Sequence, residues 1–353
     1  MKKLVSLLMA LCMMVSLAAC GGQEQTTDEG GAESDNGGYK IAFSNSYVGN
    51  AWRTAAVNIF DAYTADLVEQ GVLSKAYSSS AGDDVQAQIN EIRNMMSEGY
   101  DAIVCIAASA TGLQSVLEEA AERGLVVVCF DTTVDSDLVY NVNTDQFEYG
   151  RLLAQSLADR MGGEGNILWI KGIEGNQVTL DRTEGMQSVL DNYPGIKVLG
   201  DGYGKWDDST TASVMSNLMS AYASQGIDGI LSEGGGGHAI VQSLVENGID
   251  PATVPISEGE MFNSFMKDWV EMDLDAFCTA QPPYLAAAAV DVALKVLNGE
   301  EVEPMTYVDL PTCSSKEEAK DKWYQPDQEG GFVCDWTDNN NTWNLTIEDV
   351  APN

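Results

Sequence analysis

GYDAIVCIAASATGLQSVLEEAAERGLVVVCFD, Gly99 to Asp131, decides the fold. Two apolar runs flank a stretch of helical period. Between them Leu113, Val116, Leu117 and Ala120 recur at spacings of three and four, the signature of one buried helix face. Thr111, with Gln114 three residues on, predicts a capping box at the start of that helix. Gly124 predicts its end, because glycine takes the left-handed conformation that closes a helix without steric cost. The run after it stays apolar until Asp131, as a strand covered on both faces does. Strand, helix and strand in this order imply two parallel neighbours in a sheet with helices on its faces.

The unit recurs along the chain. GIDGILSEGGGG (226–237), a helix from about His238 to Glu246, and VPISEGE (254–260) repeat it. NILWIKG (166–172), a helix across Asp181 to Leu190, and IKVLGDG (196–202) open another set. Nearer the start, a strand over Tyr39–Ser44 leads to a helix over Trp52–Val68. Asp83 is the expected cap of the next helix, which turns Val85, Ile89, Ile92 and Met96 to one side. One sheet of this kind cannot absorb so long a chain, and two can. The expected fold class is therefore α/β, with two doubly wound parallel-sheet lobes joined by a hinge that the chain crosses several times. Residues 39–143 plus 282–306 form the expected N-terminal lobe and 144–281 the C-terminal lobe. The hinge is expected near Asn143, Gln281 and Tyr307, with 307–353 as a last crossing and a tail packed on the lobes.

The N-terminal residues read as an address. Lys2 and Lys3 precede an apolar run, Leu4 to Ala19, that is too short for a membrane span with flanks. It ends in Leu17-Ala18-Ala19-Cys20, which resembles a bacterial lipoprotein signal over residues 1–20, with Cys20 as the lipidated residue. Residues 21–38, GGQEQTTDEGGAESDNGG, hold only acidic charge and no large apolar side chain, so they read as a flexible tether. The expected location is extracytoplasmic, at the outer face of a bacterial membrane, with the lipid as the only membrane contact. Without the two signal lysines the charge is 16 − 54 = −38. Such a surface repels nucleic acid and anionic lipid. Cys105, Cys129 and Cys278 sit in apolar runs and read as small core residues. Cys313 and Cys334 lie in a polar tail and leave a disulfide between them open. With one histidine, His238, and no CxxC pair, neither a zinc site nor any other metal or cofactor is expected.

In open parallel sheets, ligands bind beyond the carboxyl ends of the strands. Those ends carry Asn50, Trp52 and Arg53; Ser109; Asp131; Glu174, Asn176 and Arg182; Trp206 and Asp207; Glu233; Glu258 and Glu260; and Gln281. Carboxylates, amides and guanidinium groups pair with hydroxyls, and an indole face accepts the C–H side of a sugar or polyol. Charge-assisted hydrogen bonds contribute about 1.5–3 kcal/mol each, so a few suffice for micromolar affinity. Gly234–Gly237 beside Glu233 is a poor phosphate cradle, and reads as close backbone approach or flexibility.

From about Tyr39 to Leu310 the chain resembles the type I periplasmic sugar-binding proteins, the ribose-binding-protein-like receptors of ABC importers. Asn50-Ala51-Trp52 stands where that family has Asn followed by stacking aromatics. VVVCFD matches the strand whose final Asp, here Asp131, holds sugar hydroxyls. GIEGNQVTLDRTEGM matches the segment that supplies the ligand-clamping arginine, Arg182. Trp206-Asp207 falls at a second stacking aromatic, and TAQPP at the hinge glutamine, Gln281. Departures are Thr132 after the terminal Asp, Glu233 before four glycines, and Glu258 and Glu260 where an aromatic and an Asp are usual. Strand-end position and the resemblance together give Asn50, Trp52, Arg53, Asp131, Arg182, Trp206, Asp207, Glu233, Glu258, Glu260 and Gln281 as the expected ligand-binding residues. The resemblance implies a monomeric receptor that takes a monosaccharide or polyol to an ABC permease. A signalling receptor for a sugar-like ligand stays open on the residues alone. A glycoside-active enzyme is less favoured, since no acid and base pair is singled out and there is no nucleophile elbow.

Overall fold

A computed structural model describes residues 37–335 and 342–351. Cys20, the expected signal and nearly all of the expected tether lie outside the described residues. The first sheet holds β1 (Tyr39–Asn45), β2 (Leu73–Ser80), β3 (Ala102–Ile106), β4 (Val126–Phe130) and β5 (Tyr140–Asn143). The second holds β6 (Glu164–Lys171), β7 (Gly195–Tyr203), β8 (Gly229–Ser232), β9 (Ile256–Gly259) and β10 (Ala276–Thr279). Then β11 (Met305–Tyr307) returns to the first sheet and β12 (Thr312–Cys313) to the second. The strand orders are β11-β5-β4-β3-β1-β2 and β12-β10-β9-β8-β6-β7. Every pair is parallel except β12 on β10. Two doubly wound α/β lobes are the architecture expected of the strand–helix–strand repeat. Among the described residues the chain passes between the sheets after β5, after β10 and after β11.

Nine longer helices cover the sheets among the described residues: α1 (Ala51–Glu69), α2 (Val85–Glu98), α3 (Ala110–Glu122), α4 (Gln146–Arg160), α5 (Gln177–Leu190), α6 (Asp208–Tyr222), α7 (Gly237–Glu246), α8 (Asn263–Met272) and α9 (Leu285–Leu297). Their apolar stripes explain why they dock. In α3, Leu113, Val116, Leu117 and Ala120 are buried, and each large aliphatic contributes about 1.5–3 kcal/mol by leaving water. Under α1 the Phe43 ring lies 5.1 Å from Phe60 and 5.4 Å from Phe130, within the range for favourable aromatic pairs. None of the helices of the described residues is long and apolar enough to cross a membrane.

Two expectations need correction, and one pairing that the sequence left open is decided. The cap of α2 is Asp84, which accepts from the Gln86 and Ala87 amides at 2.8 and 3.0 Å. Asp83 instead makes the turn before it, at φ +63°. The cap of α3 is Ser109, which accepts from the Gly112 amide at 3.0 Å; the helix already includes Thr111, and Gln114 points its amide to Glu118 and the Asp135 carbonyl. No disulfide joins Cys313 to Cys334. Cys313 is a free buried thiol held opposite Cys278 by the β10–β12 register, and burial pushes its pKa up to about 12.

Candidate functional site

The first lobe contributes a charged pair set at strand tips. Arg53, in the first turn of α1, donates to Asp131 at 2.8 Å, to Asn45 Oδ1 at 3.2 Å and to Ser46 Oγ at 3.1 Å. Both side chains of the Arg53–Asp131 pair are mostly buried, 11% and 15% exposed, so solvent screens them little. Asp131 sits just past β4 in the left-handed region at φ +61°. A non-glycine residue there stores strain of order 1–3 kcal/mol, a trait concentrated at ligand sites. Trp206 at φ +56° and Glu260 at φ +66° share it.

The second lobe is centred on Arg182, only 2% exposed. Its Nε donates to Gln146 at 2.8 Å and its Nη1 to the Glu233 carbonyl at 2.9 Å and Glu260 at 3.3 Å. The guanidinium lies 3.6 Å over the Tyr149 ring and 5.9 Å from Trp206. Burial works against this charge, and Tyr149, Glu260 and Glu233 outweigh it, so the Arg182 pKa is raised.

Gln281, on the crossing after β10, ties the halves together. It donates to Asp131 at 2.6 Å. Its side-chain oxygen accepts from Arg182 at 3.4 Å and from Gln146. Its carbonyl accepts the Trp52 indole N–H at 2.6 Å. Arg53, Asp131, Gln281, Arg182 and Glu260 thus form one hydrogen-bonded path from lobe to lobe. Planar donors and acceptors of both signs sit along it, which is the equipment for holding hydroxyl groups.

The other expected residues fall elsewhere. Trp52 is 8% exposed within the apolar core beneath α1. Trp52→Phe puts a smaller ring in the core and removes the bond to Gln281, and is expected to cost about 1–3 kcal/mol in a urea melt. Trp206 is half-buried on the second lobe, and its indole N–H is buried without a hydrogen-bond partner. Gly172 and Gly235 leave room for it, since a Cβ on either would lie within 2.5 Å of Trp206 atoms. The Gly234–Gly237 run therefore serves close approach. Glu233 spends its carboxylate on the Gly172 amide at 3.0 Å and Thr183 at 2.9 Å. Glu258 takes the Gly236 amide at 3.1 Å. Burial pushes Glu233 up to about 7 and Glu258 up to about 8. Asn50 and Asp207 are exposed caps of α1 and α6, and the structure does not bring them into the path. Asn45, Ser46, Gln146 and Tyr149 belong to it and were missed. The place of Gln146 and Tyr149 in the first turn of a helix just after a strand was the only local signal, and a solvated face shares it.

The model of the periplasmic binding protein domain matches residues 41–301. The xylitol-binding protein of Mycolicibacterium smegmatis is 31% identical over 172 residues, 48% of this chain and 49% of that one. The multiple sugar-binding periplasmic receptor ChvE of Rhizobium radiobacter is 30% identical over 168 residues, 42% of this chain and 48% of that one. The chain thus spans about half the length of these two curated relatives. A solved ABC transporter solute-binding protein from Thermobispora bispora superposes with a TM-score of 0.72 at 21% identity, over 82% of this chain and 89% of that one; at that identity it shows the shared fold. With the family model covering most of the chain and both lobes in place, the protein belongs to the periplasmic binding protein domain family, in its two-lobed type I form.

Proposed function

We propose that the chain is an extracytoplasmic solute-binding protein. It captures a small carbohydrate, a monosaccharide or polyol, between its lobes and delivers it to an ABC transporter permease, with Cys20 lipid holding it at the membrane. The observation that carries this is the path from Arg53 and Asp131 through Gln281 to Arg182 and Glu260. It draws side chains from both lobes and the hinge, so a guest that contacts all three favours one lobe arrangement over others. The relatives named for xylitol and for multiple sugars support the ligand class.

The test is a thermal-shift and tryptophan-fluorescence panel of pentoses, hexoses, amino sugars and polyols. One or a few members are expected to bind with micromolar affinity. Arg182→Ala is expected to weaken that binding roughly 10- to 150-fold, since it removes a charged donor worth roughly 1.5–3 kcal/mol and strands its acceptors. A panel without a binder, or an Arg182→Ala variant with full affinity, would reject the proposal.

A further inference from the structure

Cys278 and Cys313 sit on facing strands. They are direct partners in the antiparallel β10–β12 register, and both are 0% exposed. Residues opposite one another in an antiparallel pair have Cα atoms about 4.5 or 5.5 Å apart. A disulfide accepts about 4.4–6.8 Å, so either spacing suits one. Each thiol now donates to a carbonyl: Cys278 Sγ to Glu260 at 3.3 Å and Cys313 Sγ to Ser315 at 3.6 Å.

Strand order and strand length single this pair out. Cys105 and Cys129 also face each other, across β3 and β4. Each of those strands has a neighbour on both sides, so that pair opens only with its sheet. β12 holds two residues at the edge of the second sheet. Beside the pair, the Pro311 carbonyl accepts the Ala280 amide at 3.2 Å and the Thr279 hydroxyl at 3.0 Å. So short an edge strand opens locally, and that opening brings a sealed thiol to an oxidant. Burial pushes the Cys313 thiol up to about 12 and Cys278 well above the usual thiol range. In the closed strand neither is a thiolate, so oxidation runs through the opening.

We propose that Cys278 and Cys313 are a redox site, joined by a disulfide when the chain meets an oxidant of the small-molecule disulfide class. The Cys313 thiolate of the opened strand attacks one sulfur of oxidised glutathione. The glutathione S–S bond breaks, a mixed disulfide forms, and one glutathione leaves as its thiolate. The Cys278 thiolate then attacks the Cys313 sulfur, the Cys278–Cys313 bond forms, and the second glutathione leaves. Two S–H protons pass to the glutathione thiolates, and two electrons reduce the oxidant. The bond closes a loop through α9 and β11, which restricts the unfolded chain. It also reaches the ligand site. The oxidised Cys278 sulfur has no proton for the Glu260 carbonyl, and Glu260 lies on the path from lobe to lobe.

The test uses the full chain and oxidised glutathione and needs no sugar, so it stands or falls apart from the ligand reading. Reduced protein is oxidised as the native chain and, separately, while refolding from urea. Both samples are alkylated, digested and weighed. From both, a joined peptide carrying Cys278 and Cys313 is expected, lighter by two hydrogens than the separate thiol peptides, with Cys105, Cys129 and Cys334 alkylated. The urea midpoint of the oxidised protein is expected to lie above that of the reduced one and to return with dithiothreitol. Cys313→Ala is expected to lose both the joined peptide and the shift. Both cysteines alkylated after either treatment, glutathione left on one of them, or either joined to another cysteine overturns the proposal. The parent's peptides decide the matter if the variant does not fold.

Discussion

Gly150→Ala is expected to destabilise the protein by about 3 kcal/mol and to weaken ligand binding ~100-fold. Gly150 on α4 meets Arg182 on α5 so closely that a Cβ would lie 2.0 Å from the Arg182 carbonyl oxygen. Gly185 on α5 meets Phe147 in return, where a Cβ would lie 2.0 Å from the Phe147 carbonyl oxygen. Both obstacles are backbone, so no rotamer change relieves them and the helices must separate. Overpacking of this kind costs about 1–3 kcal/mol, and more where the backbone must shift. The same crossing sets the site. Gln146 lies one turn before Gly150, and its 2.8 Å bond to Arg182 spans the two helices. Separation by even an ångström breaks it and misdirects a buried cation. Urea melts and affinity for whichever panel sugar binds measure the two effects. Gly331→Ala is the control: a Cβ there meets nothing within 4 Å, and its stability should stay within about 0.5 kcal/mol of the parent. Equal stability of the two variants would show that the helices yield without strain.

That crossing also shows where reading residues in order runs out. LVVVCFD announced β4 because a strand covered on both faces has no need of polar residues, and its end placed Asp131 at a sheet tip. Arg182 and Gln281 were found because they follow strands at the carboxyl ends of the sheets, and the resemblance then gave them roles. Gln146 and Tyr149 escaped because a polar or aromatic residue in a helix's first turn has the same local pattern in solvent as in a site. Trp52 shows the converse difficulty. Its position after β1 suits a cleft wall, and only tertiary packing puts it in the core with its N–H on the Gln281 carbonyl. The cysteines are a matter of register. Cys278 and Cys313 are partners across β10 and β12, a long-range pairing that spacing along the chain does not encode. Caps moved by one or two residues because Asp83 and Asp84, or Ser109 and Thr111, are chemically equivalent until the backbone selects one.

Glu258→Gln is expected to make stability far less dependent on pH, and to raise it by about 3–5 kcal/mol at pH 9. Glu258 is 1% exposed. Burial is the first cause of its pKa rising to about 8, ahead of the repulsion from Asp208 and Glu260, while Ser232 and the Gly236 amide pull the other way. One carboxylate oxygen, Oε2, is buried without a hydrogen-bond partner, so the Gly236 amide on Oε1 compensates the charge only in part. In the unfolded chain the same group titrates near 4.5. The folded pKa is therefore the higher one. The stability that Glu258 contributes is fully present below about pH 4.5 and is lost as pH rises through about 8. Glutamine keeps the shape, keeps an acceptor for the Gly236 amide and carries no charge at any pH. The gap between variant and parent should thus be small at pH 4.5 and open steadily toward pH 9. Glu233, raised to about 7 for the same first cause, has the same sign in both proteins and cancels in the difference. So does the general relief of acidic repulsion that protonation brings to a chain of net charge −36. Urea melts of parent and variant at pH 5, 7 and 9 give the three differences. A gap that does not change with pH would mean that Glu258 reaches water or a compensating cation in the folded protein, and that its burial is not what holds its proton.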